Sequence, residues 1–296
     1  MADTLLAERV LERKDTRKKI LDKLAPIILS TAVFLAISAV AALLITVVTQ
    51  GWSRLSLNLI LEYPSANPAR AGMRSAFLGS LWTVGLSALI SVPLGIAAGL
   101  YLAEWARWKP FRRFVEFNMA NLAGVPSIIF GLVGLSLLTY GLGWGRSIIA
   151  GAFTLGIMTL PLVTVAAAEA VKTIPEALKQ GAYALGATKL QVTRHIILPN
   201  SLPMMMTGAI LAISRAIGEA APILVISGLL FIRQDPTSVF DRFTVMPLQI
   251  YNWVSRPQVA FQELSSAAII VLLLLLMALN ATAIAIRYRY QKRLVL

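Results

Sequence analysis

The sequence predicts an all-α, polytopic membrane protein with six transmembrane helices, and three observations carry that prediction. Hydrophobic residues fill 57% of the 296 positions, with a mean hydropathy of +0.75. Charged residues are only 14%, too few to clothe a soluble domain of this size. Apolar stretches at residues 26–49, 77–103, 117–143, 147–168, 203–230 and 264–286 each reach the ~20 residues that a helix needs to cross the hydrocarbon core, and charge enters only the fifth.

Taken in order, residues 1–25 form a charged segment that mixes Glu8, Glu12 and Asp15 with Arg and Lys, read as a solvated helix or tail. Its length and the spanning run behind it, with no convincing small-residue cleavage site, make it a retained signal anchor rather than a cleaved peptide. The second span carries Pro93, the third Pro126, the fourth Gly151, Gly156 and Pro161, and the fifth Pro222. Such residues free backbone groups that neighbouring helices or a wet cavity must satisfy, which suits a packed bundle. Residues 231–263 contain Pro247-Leu-Gln-Ile-Tyr-Asn-Trp253, an amphipathic stretch read as a helix on the bilayer surface or one offered to an external protein. The transmembrane domain is thus 26–286, and residues 287–296 form a basic tail.

Lys and Arg set the orientation. They crowd the N-terminal segment, the 107–113 loop (Arg107, Lys109, Arg112, Arg113), the loop between spans four and five (Lys172, Lys179, Lys189, Arg194) and the tail (Arg287, Arg289, Lys292, Arg293). The opposite loops hold the sparser Arg54, Arg70, Arg74, Arg146, Arg233, Arg242 and Arg256. Both termini and the 175–199 segment are therefore expected in the cytoplasm. The net charge of +13 is accounted for by these scattered loop residues, and no nucleic-acid-binding motif accompanies it. With no cysteine and a single histidine, His195, the chain lacks disulfides, thiol chemistry and any histidine-cysteine metal cluster, so no metal site is expected.

The polar segment after span four is the most informative. Pro175 followed by Glu176 starts a helix over 176–185, Gly186 stops it, and a second helical stretch over 188–197 leads through Leu198-Pro199 into span five. Two short helices joined at a glycine make an elbow, and Tyr183, Leu185, Leu190, Ile196 and Ile197 supply an apolar stripe for docking into a groove. Gln180-Gly181-Ala182, Gly186, Ile196 and Leu198-Pro199 stand at the spacing of a known motif: Glu-Ala-Ala, three residues, Gly, nine residues, Ile, one residue, Leu-Pro. In this the segment, about 175–201, resembles the EAA loop of binding-protein-dependent ABC importer permeases. Gln180 and Gly181 depart from the usual Glu and Ala.

Four further stretches resemble the PstA-type permeases of phosphate importers over residues 75–285. They are Tyr101-Leu-Ala-Glu-Trp105, Pro126-Ser-Ile-Ile-Phe-Gly131, Ala182-Tyr-Ala-Leu-Gly186 and Arg215-Ala-Ile-Gly-Glu-Ala-Ala-Pro222. The resemblance implies the type I ABC importer permease fold in a bacterial or archaeal inner membrane. It also implies a PstC-like second permease, two PstB-like ATPase subunits and an external PstS-like phosphate-binding protein. The chain has no Gly-x-x-x-x-Gly-Lys-Ser/Thr, so it is no enzyme by this reading, and ATP and Mg belong to the partner.

Arg215 and Glu219, four residues apart within span five, are the substrate-path candidates. A charge at bilayer depth is costly and faces the bundle interior. Two readings are open: a self-neutralising structural ion pair, or a path lining in which Arg215 meets an oxyanion through parallel N–H···O bonds. Glu219 could accept the proton that phosphate keeps near pH 7 and sulfate lacks. Alternatives of another class fare worse. A secondary transporter calls for internal repeats and several buried acids, and a membrane enzyme for a nucleophile–base pair. An importer of another oxyanion or small polar solute stays open. Glu104 and Glu169 are expected to pair with Arg107 and Lys172, and Met204–Met206 to pack.

Overall fold

The computed structural model describes the backbone of residues 2–294 and the side chains of 24–289. It is helical almost throughout; among the described residues extended pairing is confined to an isolated antiparallel bridge between Ser147 and Arg242. Five segments are long and apolar enough to span: Leu24–Arg54, Arg74–Trp105, Ile148–Lys172, Lys189–Gly218 and Val259–Arg289. A sixth is counted when Lys109–Ala123 and Ser127–Gly141, which meet at 101°, are taken as one broken span.

Helix α1 (Ala2–Gly51) carries the charged N-terminal backbone into the first span; the side chains of residues 1–23 lie outside the described ones. Its apolar side chains are nearly all exposed, as lipid-facing residues are, and it touches the rest of the chain near its end, where Ser266 of α12 (Val259–Leu294) donates to Gln50 at 3.3 Å. After the short α2 (Leu57–Leu61), helix α3 (Arg74–Leu100) runs on through a π-helical turn, Tyr101–Trp105. Helix α6 (Ile148–Lys172) is the most enclosed span. It packs along α3, where Gly95 and Gly99 lie close to Val163, Thr164 and Ala167, and Ser87 lies beside Gly156. In lipid, where apolar surface gains nothing by leaving its solvent, close backbone approach of this kind is what drives helix pairing. Thr154, Thr159 and Thr164 return their hydroxyls to carbonyls four residues back, so their burial leaves no donor unmet.

The third span departs from the sequence expectation of one helix over 117–143. Helix α4 (Lys109–Ala123) ends at Gly124, and Pro126 then caps α5 (Ser127–Gly134), which continues as a π-helical stretch to Gly141. Proline disfavours helical geometry in the residue before it, and with Gly124 already ending α4, Gly124-Val125-Pro126 is a break. Helix α4 is amphipathic, with exposed Phe111, Phe114 and Phe117 and an Arg112–Glu116 pair at 3.0 Å, the make-up of an interfacial helix.

The fifth span breaks too. Helix α9 (Leu198–Gly218) stops at Glu219, whose backbone is extended (φ −77, ψ 114), and α10 (Ala221–Ser227) follows with Pro222 in its first turn. The two breaks share one core: Phe130, Ile217, Ile223 and Ile226 are buried together, with Val125 and Ile213 against them. A Cβ at Gly131 would stand 2.7 Å from the Pro222 Cα, so only glycine lets α5 and α10 come this close. Gly131→Val is expected to cost about 1–3 kcal/mol by overpacking. Melting of the detergent-solubilised chain, compared with Gly85→Val where a Cβ meets open space, checks it.

Helix α11 (Met246–Val254) forms within the 231–263 segment, and its apolar face is turned onto the rest of the chain. Met246, Ile250 and Trp253 are buried with α12 and the start of α3, while Leu248 joins the core that holds Phe130, Ile223 and Ile226. Arg74 holds Asp235 nearby through Nε at 2.8 Å. That contact keeps the Asp235 carboxyl below the usual range.

Candidate functional site

The elbow forms as its spacing predicts. Helix α7 (Glu176–Ala184) starts after Pro175 with Glu176 in its first turn, and Gly186 turns the chain with φ +82. Thr188 caps α8 (Lys189–Val192) in a reciprocal capping box with Gln191. A π-helical turn, Thr193–Ile197, then joins α8 to α9 without interruption, so 30 residues from Lys189 to Gly218 run as one helix. No atom lies within 4 Å of a Cβ placed at Gly186; the turn needs glycine for its backbone angle, not for space. Gly181 likewise faces open space, so its departure from the usual Ala has no steric purpose.

Of the apolar residues assigned to the stripe, Tyr183, Leu185 and Leu190 are exposed, Leu185 to 91%. Ile196 is half-buried, and Ile197 is a correction: at 0% exposure it belongs to the core with Ala167, Val171, Val192 and Met205. Leu178, overlooked in the sequence, joins the exposed set. Gln180 is exposed, Ala182 packs on the core, and Leu198-Pro199 open α9 half-buried. His195 is exposed, its Nδ1 3.1 Å from the Gln191 carbonyl.

The anchorage of the elbow was missed. Glu104 does not pair with Arg107; it accepts a hydrogen bond from the Lys179 Nζ, and the two side chains are only 12% and 11% exposed. Glu176 stands behind at 3.5 Å. Burial alone would push the Lys179 ammonium down, but the bond and charge of Glu104 outweigh it and hold the group above its ordinary value. The adjacent Trp105 ring lies 4.9 Å below the Lys189 Nζ, a cation–π contact with the second helix of the elbow. Glu169 pairs with Lys172 at 2.7 Å as expected.

Arg215 and Glu219 do meet. Although the helix has ended, the Glu219 carboxylate reaches back to the Arg215 Nε at 3.3 Å. Glu219 is 16% exposed and Arg215 47%, so the guanidinium stands half open on the face of a single chain. Next to it, Ser214 donates to Asn280 of α12 at 2.5 Å, fixing the rotation of α9 at this depth. An interhelical bond of this kind sets which face of α9 the arginine occupies.

Comparisons place this architecture among known proteins. Residues 91–295 match the family described as binding-protein-dependent transport system inner membrane component. The chain is 31% identical to the probable ABC transporter permease protein YqgI of Bacillus subtilis over 79% of its own length and 80% of the relative's. It is 30% identical to the phosphate transport system permease protein PstA 1 of Mycobacterium tuberculosis over 94% and 92%. A solved chain of a bacterial alginate ABC transporter, in complex with an alginate pentasaccharide-bound periplasmic protein, has the same fold. It superposes with a TM-score of 0.64 at 15% identity, covering 90% of this chain and 93% of that one.

Proposed function

Because the chain belongs to the family of binding-protein-dependent transport system inner membrane components, and so is a multi-pass permease, we propose that it is the permease subunit of an ATP-driven importer of inorganic phosphate. In this reading it supplies half of the translocation path beside a second, PstC-like permease. The elbow end faces the cytoplasm with both termini, and the exposed stripe of Leu178, Tyr183, Leu185 and Leu190 docks an ATPase. ATP and Mg bind that partner, and the chain itself carries no cofactor. A PstS-like protein delivers phosphate to the opposite end.

The observation that carries the cargo is likeness along nearly the whole chain, 94% of it, to a relative named for phosphate transport. The site agrees chemically. A tetrahedral oxyanion calls for a permanently charged donor with parallel N–H groups, and Arg215 presents one at a helix break. Its half-open position suits a path closed only when a second subunit covers that face.

The test is ATP-dependent uptake of labelled phosphate into proteoliposomes holding the chain with its co-purified partners, with labelled sulfate in parallel. The expected result is phosphate uptake that requires ATP, with sulfate far slower. An assembled, ATP-hydrolysing complex that moves no phosphate would keep the importer and discard the cargo, leaving a permease for another oxyanion or polar solute. Uptake without any ATPase would overturn the reading.

A further inference from the structure

Two consecutive residues at the end of α3 grip both arms of the elbow. Glu104 holds Lys179 of α7 in a nearly buried ion pair, and Trp105 receives Lys189 of α8 on its ring face at 4.9 Å. The two lysines lie on opposite sides of the Gly186 turn, so the pair of contacts fixes the elbow in two places rather than one. The π-helical turn Tyr101–Trp105 is what presents both side chains, because its wider winding resets the register at the end of α3. The elbow's covalent link to α6 is short: the α6 cap at Thr173, then Ile174 and Pro175. Helix α3 reaches the elbow only through side chains. Leu100 and Ala103 add apolar packing against the core that takes in Ala182, Val192 and Ile197, and Glu104 and Trp105 supply the directional contacts.

We propose that Glu104 and Trp105 are positioning residues that clamp the elbow to α3, so that a displacement of the elbow by its ATPase carries the end of α3 with it as one body. The proposal rests on the reading that the elbow docks an ATPase. Lys179 is suited to the task because the bond and charge of Glu104 favour its charged form despite burial. Glu176, at 3.5 Å, gives Lys179 a second carboxylate and limits how far it strays when Glu104 is neutralised. Glu104→Gln, the same size and shape, therefore loosens the clamp without emptying the site.

The test uses the complex of full chain and co-purified ATPase. The chain has no cysteine, so thiols introduced as Tyr101→Cys and Arg194→Cys, both at exposed positions, carry spin labels on this subunit at known places. The distance between them is measured without nucleotide and with ATP trapped by vanadate. With Glu104 intact, the distribution is expected to stay narrow and unchanged between the two states. With Glu104→Gln it should broaden about twofold and shift with nucleotide, while ATP hydrolysis stays within about twofold. Glu104→Asp, which keeps the charge, should restore the narrow distribution, and Glu104→Gln with Lys179→Gln should be no broader than Glu104→Gln alone, as for two groups acting as a unit. Trp105→Leu gives the same readout through the other arm if Glu104→Gln fails to assemble. A distance that moves with nucleotide equally with and without Glu104, in a complex that holds and uses its ATPase, overturns the clamp alone. A chain that never retains an ATPase overturns the docking reading, and the clamp with it.

Discussion

Leu185→Asp is expected to strip the ATPase from the purified complex while leaving the chain folded. Leu185 closes α7 one residue before the Gly186 turn and is 91% exposed, so no internal contact depends on it. An apolar residue this bare at the tip of a rigid elbow fits the anchor of a helix-in-groove contact. Truncating such an anchor typically costs 2 kcal/mol or more, roughly thirtyfold in affinity, and an aspartate would also bury an unpaired charge in the groove. Co-purification of the ATPase and melting of the permease, measured on the same preparation, separate the two effects. Retention of the ATPase at the normal ratio would move the docking surface elsewhere. Ile197→Asp, by contrast, places a charge in the core with Val192 and Met205 and should fail at folding.

Arg215→Gln should lower phosphate uptake about ten- to a hundredfold with assembly unchanged, the worth of a hydrogen bond to a charged group. The rival reading, in which the pair only neutralises itself, makes a different prediction. There, removing Arg215 leaves the Glu219 carboxylate, 16% exposed, without its partner; the complex loses stability, and Arg215→Gln with Glu219→Gln together restores both stability and uptake. Uptake that stays low in the double variant, in a complex that assembles and hydrolyses ATP, supports the path. Glu219→Gln alone separates the anions. A carboxylate that accepts the proton of phosphate has no counterpart in sulfate, so phosphate uptake should fall and residual sulfate uptake should not; equal loss of both would discard the assignment of selectivity to Glu219.

Hydropathy located the membrane segments well, and local turn chemistry located the elbow almost to the residue. Pro175, Gly186 and Thr188 act through their own backbones and near neighbours, so their consequences were legible. The broken third span was not, although its signals were present: Pro126 two residues after Gly124, and Phe111, Phe114 and Phe117 interleaved with Arg112, Arg113 and Glu116. Averaging apolar content over 117–143 hid both. The fifth span hid its break for a similar reason, since Arg215 and Glu219 sit four apart as they would on an intact turn. The Glu104–Lys179 pair could not be read at all. Arg107 is nearer in sequence, and only the packing of α3 along α6 brings the end of α3 under the elbow. Ile197 has the helical spacing of a docking residue, and its burial is decided by α6 and α9 around it.

From Lys189 the chain winds unbroken to Gly218, about 45 Å of helix at 1.5 Å per residue, with the elbow at one end and Arg215 near the other. The exposed Leu190 of the elbow and the Arg215 guanidinium are thus mounted on one lever. A tilt of about 5° around its lower end sweeps the arginine sideways by roughly 3 Å, comparable to the length of a hydrogen bond. If Arg215 meets the anion as proposed, an arm of that length needs no relay of side chains to convert a small rocking of the elbow into the making or breaking of that contact.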